Sequence, residues 1–147
     1  MTNPKDHCNH HGAEIVTVKQ ADAEHLVLST VDRTWVNRRT PCAQCPWRKD
    51  ADGVFPPEAF RESAATAYDQ STETFGCHDS GIQRPAVCAG FLLRGAENNR
   101  TVRLAKAFGI YDGQVQDAGL ELHESYRAMA VANGVDPDDL TLRDCRD

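Results

Sequence analysis

A chain of 147 residues is of single-domain length and can bury roughly 70% of the surface its unfolded form exposes, so folding does not oblige it to hold a metal. With 40% hydrophobic and 7% aromatic residues, the expected core is thin and built largely of Ala, Val and Leu. A formal charge of −6 argues against coating nucleic acid or anionic membrane through the net field and leaves only a local basic patch for such contacts.

In chain order, Met1 to His7 carries no apolar run of the secretory type, and no later segment approaches the roughly 18 apolar residues of a membrane span. The expectation is a cytoplasmic protein with no membrane contact. In that compartment six cysteines point to metal ligands or redox thiols rather than to a disulfide framework. Residues 1–12 read as a solvated tail, whose Cys8, His10 and His11 leave a second metal site open. Residues 13–40 read as a β-hairpin extension, because Ile15 to Val18 and Leu26 to Val31 are rich in β-branched residues and a short polar link joins them.

Arg33, Arg38, Arg39, Arg48 and Lys49 form the densest positive charge in the chain, with Trp35 and Trp47 among them. Two readings stand side by side. Arg38, Arg39, Trp47 and Arg48 could contact a protein or nucleic-acid partner, a tryptophan serving as stacking face. In the plainer reading the cations offset a metal centre, since four thiolates around a divalent ion leave about −2 locally.

Further on, Pro56-Pro57 opens a helix with Glu58 in its first turn and Phe60, Ala64, Ala67 and Tyr68 on one face. The run Pro85 to Leu93 reads as a helix start or a buried strand. Residues 99–110 predict a helix with Leu104, Ala107, Phe108 and Tyr111 as its apolar stripe and Arg100, Arg103 and Lys106 on a solvated face. Residues 120–133 predict another, built on Leu122, Tyr126, Met129 and Ala130 and stopped at Asn133-Gly134. The expected fold class is α+β: one small domain with an N-terminal β-hairpin, a four-cysteine metal centre over residues 41–95, and three to four helices that extend through a helical part at 96–147.

The chemistry concentrates in Pro41-Cys42-Ala43-Gln44-Cys45-Pro46-Trp47-Arg48, answered by Cys77 and Cys88. A Cys-x2-Cys turn presents two sulfurs to one ion, and two cysteines ten residues apart can close a tetrahedron from a second segment. His78 competes for the fourth place, but consecutive side chains of an extended segment point to opposite sides. It reads as a neighbour of the ligands or an alternative ligand. The metal ligands are therefore Cys42, Cys45, Cys77 and Cys88, with no catalytic residue assigned. Four thiolates suit zinc, and a 4Fe-4S cluster is the alternative, because a proline directly after a ligand cysteine accompanies such clusters. A thiol-redox motif is the weaker reading, since prolines flank the cysteine pair and no alternating βα pattern surrounds it.

Pro-Cys-x2-Cys-Pro-Trp-Arg at 41–48, Phe-x-Cys-His at 75–78, Cys-Ala-Gly-Phe-Leu at 88–92 and Val-Arg-Leu-Ala at 102–105 together resemble a family of small cysteine-rich proteins of unknown function from actinobacteria, other bacteria and their phages. The resemblance covers roughly residues 41–145. It implies that Cys42, Cys45, Cys77, His78 and Cys88 belong to one recurring motif, and it suggests a phage or mobile-element origin. It implies no activity. The expected function is that of a metal-binding, non-enzymatic accessory protein acting through protein or nucleic-acid contacts, with an iron-sulfur sensor as alternative. A zinc-dependent hydrolytic enzyme using His78 is the remaining reading, weakened because no Glu stands beside the ligands as in the His-x-Glu zinc deaminases.

Overall fold

The computed structural model describes residues 35–80 and 85–146 in full and the backbone of residues 14–20 and 26–31. The tail with Cys8, His10 and His11, the link after Gln20 and the residues 32–34 lie outside the described residues. What is described is a small mixed domain of four helices and short strands.

Strand β1 (Glu14–Gln20) pairs antiparallel with β2 (Leu26–Val31), from Gln20↔Leu26 to Glu14↔Val31, with a bulge between Ile15 and Thr17. Strand β2 pairs antiparallel with β3 (Thr74–Phe75), so the sheet order is β1-β2-β3. Helix α1 (Pro57–Ser63) starts on a proline, whose missing N–H is not needed in the first turn, and carries Glu58 near its positive end. It tightens into a 3-10 turn at Ala64–Ala67, where the Ser63 and Thr66 hydroxyls donate back to the carbonyls of Ala59 and Ser63. Helix α2 (Ala89–Arg94) follows Cys88 directly. The run Pro85 to Leu93 is thus extended up to Cys88 and helical beyond it.

Two helices differ from the sequence expectation. The expected helix over 120–133 is confined to α4 (Tyr126–Ala132), capped by the Ser125 hydroxyl, which accepts from Ala128 N. Residues 121–123 are instead extended and pair behind the cysteine turn: Leu122 bridges Arg48, Lys49 N donates to Glu121 O at 3.0 Å and His123 N to Trp47 O at 2.9 Å. A long-range ladder has taken residues whose local pattern suited a helix.

Helix α3 (Arg100–Ala107) forms where expected but faces the other way. Val102, Ala105 and Tyr111 are buried, whereas Leu104 is 48% and Phe108 75% exposed. The anchor is Asn99, itself buried. Its amide donates to Glu73 O at 2.7 Å and Thr66 O at 3.3 Å, and its oxygen accepts from Val102 N at 3.0 Å. Once that cap is fixed inside, the rotation of the helix is fixed with it.

The core gathers around Trp47, which is fully buried against Phe75, Phe91 and Tyr126, ring centroids lying 5.8 to 6.5 Å apart. The indole lies against two glycines of the α2 region. A Cβ on Gly90 would stand 2.6 Å from Trp47 Cβ, and one on Gly95 would stand 2.5 Å from Trp47 Cη2. Tyr126 crosses beneath and donates its phenol hydrogen to Phe60 O, with the Ser63 hydroxyl 2.6 Å away. Burial, relieved only in part by Ser63, drives that phenol far above its ordinary pKa.

Candidate metal centre

The cysteine pair sits on two successive tight turns, closed by Cys45 N donating to Cys42 O at 3.1 Å and Arg48 N to Cys45 O at 3.0 Å. Backbone N–H groups of Gln44 and Trp47 turn toward the Cys42 and Cys45 sulfurs, two residues after each. This is how a Cys-x2-Cys segment folds amides underneath its thiols. Donors of that kind favour the thiolate over the thiol.

Cys77 and Cys88 come from a second local structure. Cys77 N donates to Ala86 O at 2.7 Å and Cys88 N to Phe75 O at 2.8 Å, with Gly76 bridging Val87 between them. In that antiparallel register Phe75 opposes Cys88 and Ala86 opposes Cys77, so the two cysteines lie on the same face and Gly76 with Val87 on the other. Val87 also bridges Asn37 in parallel on its far side, with Arg38 N donating to Val87 O at 2.9 Å. Residues 36–38, 86–88 and 75–77 thus form a miniature sheet that carries half of the thiols.

The two halves meet sulfur to sulfur. Cys45 Sγ lies 3.6 Å from Cys88 Sγ, and Cys42 is hydrogen-bonded to both Cys45 and Cys77. The order of contact is Cys77, Cys42, Cys45, Cys88. All four are buried, at 0–6% exposure, and all are free thiols. A disulfide needs sulfurs about 2.05 Å apart, so 3.6 Å is a contact and not a bond.

The electrostatics follow from this crowding. The hydrogen bond with Cys45 pushes the Cys42 thiol up, burial adds to it, and the bond with Cys77 opposes it. At Cys45 the bond with Cys42 lowers the pKa, but the contact with Cys88 and burial outweigh it and the thiol ends far above its ordinary value. Cys77 is pushed up by Cys42 and by burial, against the Ser80 hydroxyl and backbone N–H. On balance crowding and burial leave Cys42, Cys45 and Cys77 harder to ionise than free thiols, which is the pattern that a shared dication would invert. Among the described residues, however, no group of three or more His, Cys, Asp or Glu is arranged as a ready set of metal donors. The expected four-cysteine centre therefore takes the form of a chain of thiol contacts and not of a closed ligand cage.

A family model matches residues 37–146. The chain belongs to the DUF6283 family, a family of unknown function. The matched span holds all four of these cysteines and starts at Asn37, within the first segment of the miniature sheet; β1 and β2 precede it. No curated protein and no solved structure matches the chain.

The other expected site residues fall elsewhere. Trp47 is withdrawn as a partner-binding residue: at 0% exposure it is the centre of the core. Arg48 lies across the cysteine turn, donating to both Asp50 oxygens at 2.7 and 2.6 Å and to Cys42 O at 3.3 Å. The Asp50 carboxylate holds its guanidinium firmly protonated. Arg38 pairs with Asp79 at 3.7 Å, and Arg39 pairs with Asp112 at 3.1 Å while donating to Gln114 O. These arginines tie loops together. His78 is exposed, with its ring edge-on to Phe55 at 5.0 Å, while its neighbour Cys77 points inward.

Sequence reading passed over His123. It is 6% exposed, its Nε2 lies 2.7 Å from Asp52 Oδ1, and Asn133 spans from Asp52 to Gly53 N and Met129 O. Asn133-Gly134 read only as the stop of a helix, and only the 121–123 ladder brings His123 beside Asp52.

Proposed function

We propose that Cys42, Cys45, Cys77 and Cys88 together hold one zinc ion, and that the protein is a non-enzymatic, cytoplasmic module whose fold this ion staples, with the hairpin of residues 13–40 as an extension. The observation that carries the reading is the buried run of four free thiols in one line of contact, supplied in pairs by two separate local structures. Its dimensions suit the ion. Zinc–sulfur bonds of about 2.3 Å place neighbouring sulfurs of a tetrahedron about 3.8 Å apart, close to the 3.6 Å between Cys45 and Cys88. Amide donors from Gln44, Trp47 and Ser80 supply the surroundings that ligating thiolates need. When bound, the ion would cross-link the cysteine turn to the miniature sheet and so add its binding energy to folding.

Single Cys→Ser variants test this. Cys42→Ser, Cys45→Ser, Cys77→Ser and Cys88→Ser each lose zinc and most of the thermal stability, while Cys145→Ser and His78→Ala keep one zinc per chain. Retention of stoichiometric zinc by any of the first four variants, or its loss in Cys145→Ser, contradicts the ligand set. A fold of this kind acts through contacts with other macromolecules, and exposed residues, not Trp47, carry them.

A further inference from the structure

Seven large apolar residues are exposed among the described ones, and two stand out: Leu140 at 80% and Phe108 at 75%. Phe108 follows α3. Arg100, Leu104 and Phe108 are four apart and share a row on that helix, and Arg103 with Ala107 forms the adjacent row. Ile110, 60% exposed, follows two residues after Phe108. Arg100, Arg103 and Lys106 are exposed and take part in no ion pair among the described residues. This face joins exposed apolar side chains to unpaired positive charge.

Leu140 follows two exposed carboxylates, Asp136 and Asp138. It ends the exposed segment Asp136-Pro137-Asp138, and Asp136 and Asp138 likewise take part in no ion pair among the described residues. The segment is held in place: Asp138 N donates to Asp136 Oδ1 at 2.8 Å, Asp139 pairs with Arg61 at 2.9 Å, and Arg127 donates to Pro137 O. The two most exposed apolar side chains thus lie one beside unpaired cations and the other after two unpaired carboxylates, the nearby Arg61, Arg127 and Arg143 being already engaged.

We infer that these two surfaces are the halves of one head-to-tail contact between copies of this chain, the α3 face of one copy receiving the Asp136–Leu140 segment of the next. Such a contact is heterologous, so it builds a ring or an open chain of subunits. Burying Leu140 against Leu104, Phe108 and Ile110 supplies the attraction, and the opposite charges at the rim set the register. Each copy carries −6, so copies repel one another as wholes, and the contact works only at the range where the local charges meet.

The test uses the full chain in analytical ultracentrifugation. The wild type associates with rising concentration at about 0.15 M NaCl. R103E/F108S and D138K/L140S each weaken association roughly tenfold or more, the loss expected when a central aromatic or apolar anchor and its charge are removed. Circular dichroism and zinc content matching the wild type show that neither pair has unfolded the chain. Mixed together, the two variants still offer one intact α3 face and one intact acidic segment, so they form a 1:1 dimer that grows no further. A wild type that stays monomeric at every concentration overturns the inference, as do variants that associate undiminished or a mixture that remains monomeric. A monomer whose α3 face binds labelled single-stranded DNA, with the binding lost in R103E/F108S, overturns it too and assigns the face to nucleic acid.

Discussion

Gly90→Ala and Gly95→Ala probe the slot that holds Trp47, and through it the placement of Cys88 against Cys45. Neither glycine has a left-handed backbone, so an added methyl meets space and not strain. In α2, Ala at position 90 would bring about 0.8–1 kcal/mol of helix propensity. Against this, its Cβ falls 2.6, 2.7 and 2.9 Å from Trp47 Cβ, Cγ and Cδ1. Those atoms are anchored to a backbone that His123 N grips, so they cannot swing aside. Overpacking of a tight core costs about 1–3 kcal/mol, and atoms this fixed put the site at the upper end, leaving a net loss of ~1–2 kcal/mol. At Gly95 the clash is with the far end of the ring, Cη2 at 2.5 Å and Cζ2 at 2.8 Å. The two variants therefore respond differently to Trp47→Phe, which deletes Cη2 and Cζ2 but keeps Cβ and Cγ. In that background Gly95→Ala becomes nearly neutral and Gly90→Ala keeps its full effect. Thermal unfolding followed by circular dichroism reads the four combinations, at about 2–4 °C per kcal/mol for a chain of this length. If Trp47→Phe rescues Gly90→Ala as completely as Gly95→Ala, or if Gly95→Ala is harmless alone, the packing argument fails.

Zinc loading of the metal-free protein at pH 7 releases at least three protons per ion, because Cys42, Cys45 and Cys77 have raised pKa values and are protonated without metal. Affinity therefore rises with pH, and calorimetry in buffers of different ionisation enthalpy measures the count. The Thr141 hydroxyl and amide, followed by Arg61, hold Asp139 at about 2, below its unfolded value. A lowered folded pKa gives stability that is present above about pH 4 and is lost as pH falls toward 2, and Asp139→Asn flattens that part of the stability–pH curve. Asp52→Ala strips the buried His123 ring of its partner and destabilises the fold by about 1–3 kcal/mol in urea unfolding, whereas Asp50→Ala, which removes an exposed carboxylate from Arg48, leaves the urea midpoint nearly unchanged.

Local chemistry was legible in the sequence, and long-range pairing was not. The spacing of Cys42 and Cys45 announces a two-sulfur turn because the backbone geometry lies within four residues. That Cys77 and Cys88 share a face depends on a register between 75–77 and 86–88, which their spacing alone does not give. Periodicity showed that Leu104, Ala107 and Phe108 lie together on α3, but which side of a helix is covered depends on its neighbours. There the buried Asn99 cap decided against the larger apolar residues. Trp47 beside three cations looked like a contact residue, and the glycines that open a slot for it stand more than forty positions later. Leu122 and His123 fitted a helical pattern and joined a ladder with Arg48 and Trp47 instead, a competition that local propensity does not register.

Elemental analysis and an ultraviolet-visible spectrum of one sample purified without oxygen test the metal centre most directly. The four-thiol site predicts a colourless protein with one zinc per chain, which Cys88→Ser lacks. Iron and sulfide with broad absorbance near ~400 nm, or a folded wild type with four freely titrating thiols and no metal, would contradict it.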